Sequence, residues 1–106
     1  MTLVKAERVN WYEELVHDCR RIIEEAKANA GMVLIEAKYD IGNRILPDYK
    51  KFGRREYGYK TQEDLAYDLE TDQRRISENI SFAKKVNAEY GDFTQFKQST
   101  DASELS

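Results

Sequence analysis

TQEDLAYDLETDQRRISENI, residues 61–80, holds two helix starts in close succession. Thr61 followed three positions on by Asp64 forms a capping box, with Asp in place of the usual Glu. Asp72 is a good N-cap for a second helix. Leu65, Ala66 and Leu69 make the apolar face of the first helix. Ile76, Ile80, Ala83 and Val86 carry the second to about Glu89, and Tyr-Gly-Asp at 90–92 stops it. The pair has the grammar of a helix-turn-helix. A small residue, Ala66, stands where the helices cross. A short turn at about Glu70–Asp72 follows, and Ile76 faces back to join Leu65, Leu69 and Ile80 in a shared core. Two positions depart from the usual form. Glu70 stands in the turn where glycine is common, and Asn79 stands where an aliphatic residue is expected, with Ile80 shifted by one.

This arrangement turns Gln73, Arg74, Ser77, Glu78 and Ser81 outward. The N-terminal residues of such a helix are the ones that reach base edges in the major groove, and Gln and Arg have the donor geometry to read adenine and guanine. Arg75, beside Ile76, points to a flank and suits phosphate or a nearby carboxylate. Thr71 and the helix N-terminus suit a phosphate as well. Against this stands the acidity of the first helix and turn, where Glu63, Asp64, Asp68, Glu70 and Asp72 crowd together. The bland alternative is two packed helices that never touch DNA.

Upstream, PDYKKFGRREYGYK (47–60) breaks any period with a proline and two glycines. It reads as a connector. Lys50, Lys51, Arg54, Arg55 and Lys60 lie in it among Tyr49, Phe52, Tyr57 and Tyr59. One reading is a basic, aromatic-interleaved loop gripping the phosphate backbone ahead of the reader helix. The other is a solvated loop whose aromatics pack on the helices. Arg74, Arg75, Lys84 and Lys85 extend the basic set.

The first half is helical too. Trp11, Leu15, Cys19, Ile22, Ile23 and Ala26 recur at spacings of three and four, the mark of one apolar helix face, and the pattern begins near Val9. Asn10 suits a cap, with Glu13 completing a capping box. Ala30, Val33, Leu34, Ala37, Ile41 and Ile45 continue the stripe until Pro47, which ends it. One helix from 10 to 46 would span about 55 Å, so a break or kink near Asn29–Gly31 is expected. A stripe of this length also suggests self-association through residues 10–46 as a homodimer, the usual way for helix-turn-helix proteins to reach two half-sites.

The chain of 106 residues carries a formal net charge of -3, with 35% charged and 41% apolar residues. That balance suits one all-α domain over residues 1–95, followed by a flexible polar tail, 96–106. The charge is uneven. Residues 1–49 hold 7 Lys/Arg against 9 Asp/Glu, residues 50–85 hold 9 against 7, and residues 86–106 hold 1 against 4. The acidic total therefore hides a locally basic middle. No apolar run reaches the ~20 residues of a membrane span, and no apolar signal segment opens the chain. A single cysteine makes no internal disulfide, so a reducing, cytoplasmic setting is expected.

Taken together, the runs YDIGNRI, RREYGYK and LAYDLETDQRRISENISFAKKVNAEYGD resemble the N-terminal domain of the YhcG-type proteins, which pair it with a C-terminal PDDEXK-type nuclease domain. The residues that carry the resemblance are Tyr39, Ile41, Gly42, Ile45, Tyr57, Gly58, Leu65, Asp68, Leu69, Ser77 and Phe82, spread over about residues 10–92. The resemblance implies a helical, helix-turn-helix-like, DNA-associated module. It implies no enzyme here, since no Asp…Glu-x-Lys segment sits on a strand pattern. General helix-turn-helix regulators share the second half of the pattern, so a small stand-alone repressor fits equally.

Other chemistry finds no support in the sequence. His17 and Cys19, two apart on a helix, face different ways and make poor joint metal ligands. Ser77 has no histidine base within reach. No Gly-rich phosphate loop occurs, and the acidic pairs Glu13/Glu14 and Glu24/Glu25 read as solvated helix faces. No cofactor, metal or small-molecule substrate is expected. The reading is a DNA-binding helix-turn-helix protein acting as a small regulator or a DNA-recognition accessory, with double-stranded DNA as partner. The alternative is a helical protein-interaction module, antitoxin-like or host-factor-binding, without DNA contact.

Overall fold

A computed structural model describes residues 2–29 and 34–99, with side chains from residue 11 onward. The fold is all-α. In order run α1 (Thr2–Ala28), α2 (Leu34–Ile45), two 3₁₀ turns (Leu46–Lys51 and Arg55–Tyr57), α3 (Gln62–Asp68), α4 (Gln73–Tyr90) and α5 (Phe93–Ser99). Among the described residues no strand occurs, and no helix is long and apolar enough to cross a membrane.

α1 begins upstream of the expected start at Val9. Lys5, Ala6, Glu7 and Arg8 are strong helix formers with no breaker among them, so nothing ends the helix there. Asn10 is an interior helical position, not a cap. The buried face is Tyr12, Leu15, Val16 and Cys19, a spacing of three, four and seven. Trp11, Ile22, Ile23 and Ala26 are half-buried at its margins. Reading the stripe from Trp11 passes over Tyr12, whose ring is buried while its hydroxyl donates to Asp68 at the end of α3. Burial and the Asp68 carboxylate push this phenol's pKa up. Burial likewise pushes the Cys19 thiol up to about 12, which leaves it a packing residue rather than a nucleophile.

The expected break falls in the interval between α1 and α2. α1 ends at Ala28, Asn29 is outside the helix, and Ala30, Gly31 and Val33 lie outside the described residues. α2 turns back along α1, so that Arg44 near its end reaches Asp18 in the middle of α1 at 2.7 Å. The long stripe is thereby divided, and Ala37 and Ile45 are buried within the chain itself. That division removes the length of the stripe as a reason for a second copy over residues 10–46. Leu34, expected in the stripe, is 80% exposed.

The most extensive helix contact is between α2 and α4, and Gly42 makes it possible. A Cβ at this position would lie 2.0 Å from the Asn79 carbonyl oxygen and 3.0 Å from the Ala83 Cβ. The two backbones thus approach more closely than any side chain would allow. Asn79, the residue that departs from the helix-turn-helix pattern, sits where α2 rather than α3 covers α4. Beside it a polar cluster joins the same helices: Tyr39 Oη donates to Asn87 Oδ1 at 2.7 Å, and Asn87 Nδ2 to Asn43 Oδ1 at 2.9 Å.

Gly91, at φ +93°, ends α4 in a conformation that costs glycine little. The polar tail expected from residue 96 does not begin there, because α5 runs through Ser99. Asp92 accepts from the Gln95 N–H at 2.9 Å and so caps it. Phe93 is buried with Tyr39, Ala83 and Val86, and Phe96 packs against this cluster. Residues 100–106 lie outside the described residues.

Pro47 does not break the chain's helical course outright. α2 passes directly into the first 3₁₀ turn, with Pro47 in its opening turn, where a missing N–H costs nothing. Within that turn the buried Asp48 accepts from Arg44 at 2.9 Å and from Lys51 at 2.8 Å. Arg44 also donates to Asp18, so one guanidinium joins α1, α2 and the turn. Burial alone would raise the Asp48 carboxyl, but the bonds from Lys51 and Arg44 outweigh it and hold the pKa below its ordinary value. Arg44 holds Asp18 down as well. A carboxyl depressed in the folded state contributes stability above its unfolded pKa and loses it as pH falls through the folded value. Thermal midpoints should therefore drop as pH is lowered from about 5 toward 3. Asp48→Asn should flatten that dependence; an equally steep loss in the variant would exclude Asp48 as its source. Asp40 acts in the opposite sense, since burial, Glu36 and Glu25 raise its pKa.

Candidate nucleic-acid interface

α3 and α4 are built as their caps dictate. The Thr61 N–H donates to Asp64 Oδ2 at 2.9 Å, and the Asp64 N–H donates to Thr61 Oγ1 at 3.1 Å. The reciprocal capping box thus forms with Asp in the third position. After Leu69 the Thr71 N–H donates back to the Ala66 carbonyl at 2.8 Å, and Glu70 takes a left-handed φ of +57°. The turn therefore demands the glycine-like conformation that the sequence pattern suggests, and a glutamate adopts it at some cost in strain. Asp72 then accepts from the Arg75 N–H at 2.9 Å and starts α4. Leu65, Ala66, Leu69, Ile76 and Ile80 share one core with α1, as the spacing requires.

The outward side of α4 carries the residues assigned to reading. Gln73, Arg74, Ser77, Glu78 and Ser81 are all exposed. Arg74, its side chain 87% exposed, meets Glu78 one turn on at 3.4 Å. Such an exposed pair is worth at most about 1 kcal/mol and is readily exchanged for another acceptor. Arg75 lies 3.9 Å from Asp72. Thr71 is not placed at a vacant helix N-terminus, because the Asp72 carboxylate already caps α4.

The basic connector divides into two groups. Lys51 is committed to the fold: it pairs with Asp48 and lies over the rings of Trp11 and Tyr57, at 5.6 and 5.8 Å. Lys60 sits 4.8 Å over the Tyr12 ring. Each of these two cations is thereby engaged within the fold. Lys50, Arg54 and Arg55 remain exposed, with Arg54 facing Glu56 at 3.2 Å. One further basic residue is drawn in from α4. The Lys84 ammonium lies 5.7 Å over the Tyr49 ring, which sets the first 3₁₀ turn, and Lys50 with it, beside the middle of α4. Spacing along the chain gives no sign of this contact.

A second surface adjoins the reader face. An open groove of about 920 Å³ runs between α1, α2 and the α3–α4 turn. Ile23, Leu34, Ala37 and Ile41 lie along it, and Arg74 and Arg75 stand on its rim. Among the described residues no group of three or more His, Cys, Asp or Glu is placed to hold a metal ion. No family model matches the chain, and neither a curated protein nor a solved structure matches it.

Proposed function

We propose that α3 and α4 form a helix-turn-helix that reads double-stranded DNA, with α4 as the reader. The observation that carries the reading is the outward face of α4: Arg74, Ser77 and Ser81 stand exposed on a helix whose opposite face, Ile76 and Ile80, is fixed in the core. Gln73 and Arg74 lie in its first turn, where helix-turn-helix proteins reach base edges. Lys50, Arg54, Arg55, Lys84 and Lys85 supply phosphate attraction around it, consistent with the locally basic middle of an acidic chain. The resemblance to the YhcG-type N-terminal domain points the same way.

The test is fluorescence anisotropy of labelled genomic fragments at low and moderate salt. Phosphate-led binding should weaken steeply as salt rises. Arg74→Ala should cost about 1–3 kcal/mol at a preferred site and much less on random DNA, with the fold unchanged at so exposed a position. A folded Arg74→Ala protein that keeps both affinity and preference would remove α4 from the reader role.

The groove between α1, α2 and the turn favours a second reading, a protein-interaction module. Apolar side chains along an open groove suit a partner's side chains better than a phosphate backbone. Association through it would change little with salt, so the same titration separates the two.

A further inference from the structure

We infer that the loop Gly53–Lys60 is a preformed phosphate clamp, in which the Tyr59 hydroxyl and the Arg54 and Arg55 guanidiniums hold the DNA backbone beside the start of α3. The inference rests on the DNA reading of α3 and α4, which already draws on Arg54 and Arg55, and adds to it the Tyr59 hydroxyl and the closed loop that carries all three.

The loop is closed on itself. The Gly53 N–H donates to the Lys60 carbonyl at 2.6 Å, and the Tyr59 N–H to the Arg54 carbonyl at 3.1 Å. The 3₁₀ turn Arg55–Tyr57 bridges the two ends. It is also fastened to α1: the Trp11 indole N–H donates to the Tyr57 carbonyl, and Phe52 packs edge-on against the Trp11 ring at 5.2 Å. A loop held this way has met its ordering cost before any ligand arrives. It leads directly into Thr61 and α3, and the first helix of a helix-turn-helix crosses the DNA backbone.

Tyr59 is the residue that the fold itself does not explain. Its φ is +44°, a left-handed conformation that a bulky residue rarely takes. Packing does not offset this, because the residue is 59% exposed. Among the described residues its hydroxyl has no hydrogen-bond partner. A strained backbone that presents a free phenol in the same closed loop as two exposed guanidiniums fits an outside acceptor. Three donors of this kind suit the anionic oxygens of phosphate. One residue opposes it: Glu56, whose carboxylate faces Arg54 and is held below its ordinary pKa by a backbone N–H and by that guanidinium.

Anisotropy titration of a labelled mixed-sequence duplex, with thermal melting of each protein, tests the clamp. Tyr59→Phe should bind about tenfold more weakly and melt as the parent does. Tyr59→Gly should bind as weakly and yet melt higher, because glycine relieves the left-handed strain. Glu56→Gln should bind more tightly, with Arg54 released and an anion removed. The losses should be equal on all sequences. Parent-like binding by both Tyr59 variants would overturn the clamp and leave the α4 reading standing. Loss in Tyr59→Gly alone would overturn the hydroxyl's part in it, and a sequence-selective loss would overturn the phosphate assignment. Absence of duplex binding by the parent protein at low salt would overturn the clamp and the DNA reading together.

Discussion

Gly42→Ala should destabilise the protein by about 3 kcal/mol, measured as a fall in the denaturant midpoint at constant slope. The added methyl has no room, since its position lies 2.0 Å from a backbone oxygen of α4. A flexible side chain could swing aside, but the Asn79 carbonyl is fixed within the helix. The helices must therefore separate, and the Tyr39–Asn87–Asn43 hydrogen bonds beside the contact should weaken with them. The outcome runs against propensity alone, by which alanine in place of glycine inside a helix gains about 1 kcal/mol. A neutral or stabilised Gly42→Ala protein would show that α2 and α4 do not meet at this point.

Ile76→Asp should unfold the protein. Ile76 is 1% exposed, packed with Leu65, Leu69 and Ile80 in the main core. A carboxylate placed there has no partner, and its burial costs several kcal/mol against a total stability of about 5–15 kcal/mol for a typical domain. Far-UV circular dichroism should show the loss of helix. Ile76→Val, which removes one methylene, should cost only about 1 kcal/mol. The pair of variants separates the core face of α4 from its outward face, where Arg74→Ala should leave the spectrum unchanged. A fully folded Ile76→Asp protein would place this residue outside the core and reverse the orientation of α4 on which the reader assignment depends.

Much of this molecule was legible in its sequence because the signals are local. The Thr61–Asp64 box and the Asp72 cap depend on atoms three residues apart. The shared core of α3 and α4 follows from helical periodicity, and the division of the first stripe follows from a length no small domain can span. Even the anomaly at Glu70 was visible as a missing glycine, and the positive φ there shows that the turn kept its geometry without one.

What the tertiary structure alone decided are contacts between segments far apart in the chain, which no local spacing encodes. Lys51 and Lys60 read as phosphate ligands in a basic run, but Trp11, Tyr12 and Tyr57 draw them over aromatic rings. Lys84, outside that run, comes beside it through Tyr49. Tyr12 became a core residue because Asp68, on a distant helix, accepts its hydroxyl. Helical propensity by itself counts Gly42 as a cost to α2. Only its approach to α4 makes it a requirement, because periodicity fixes which face of a helix is apolar but not which helix will cover it or how closely.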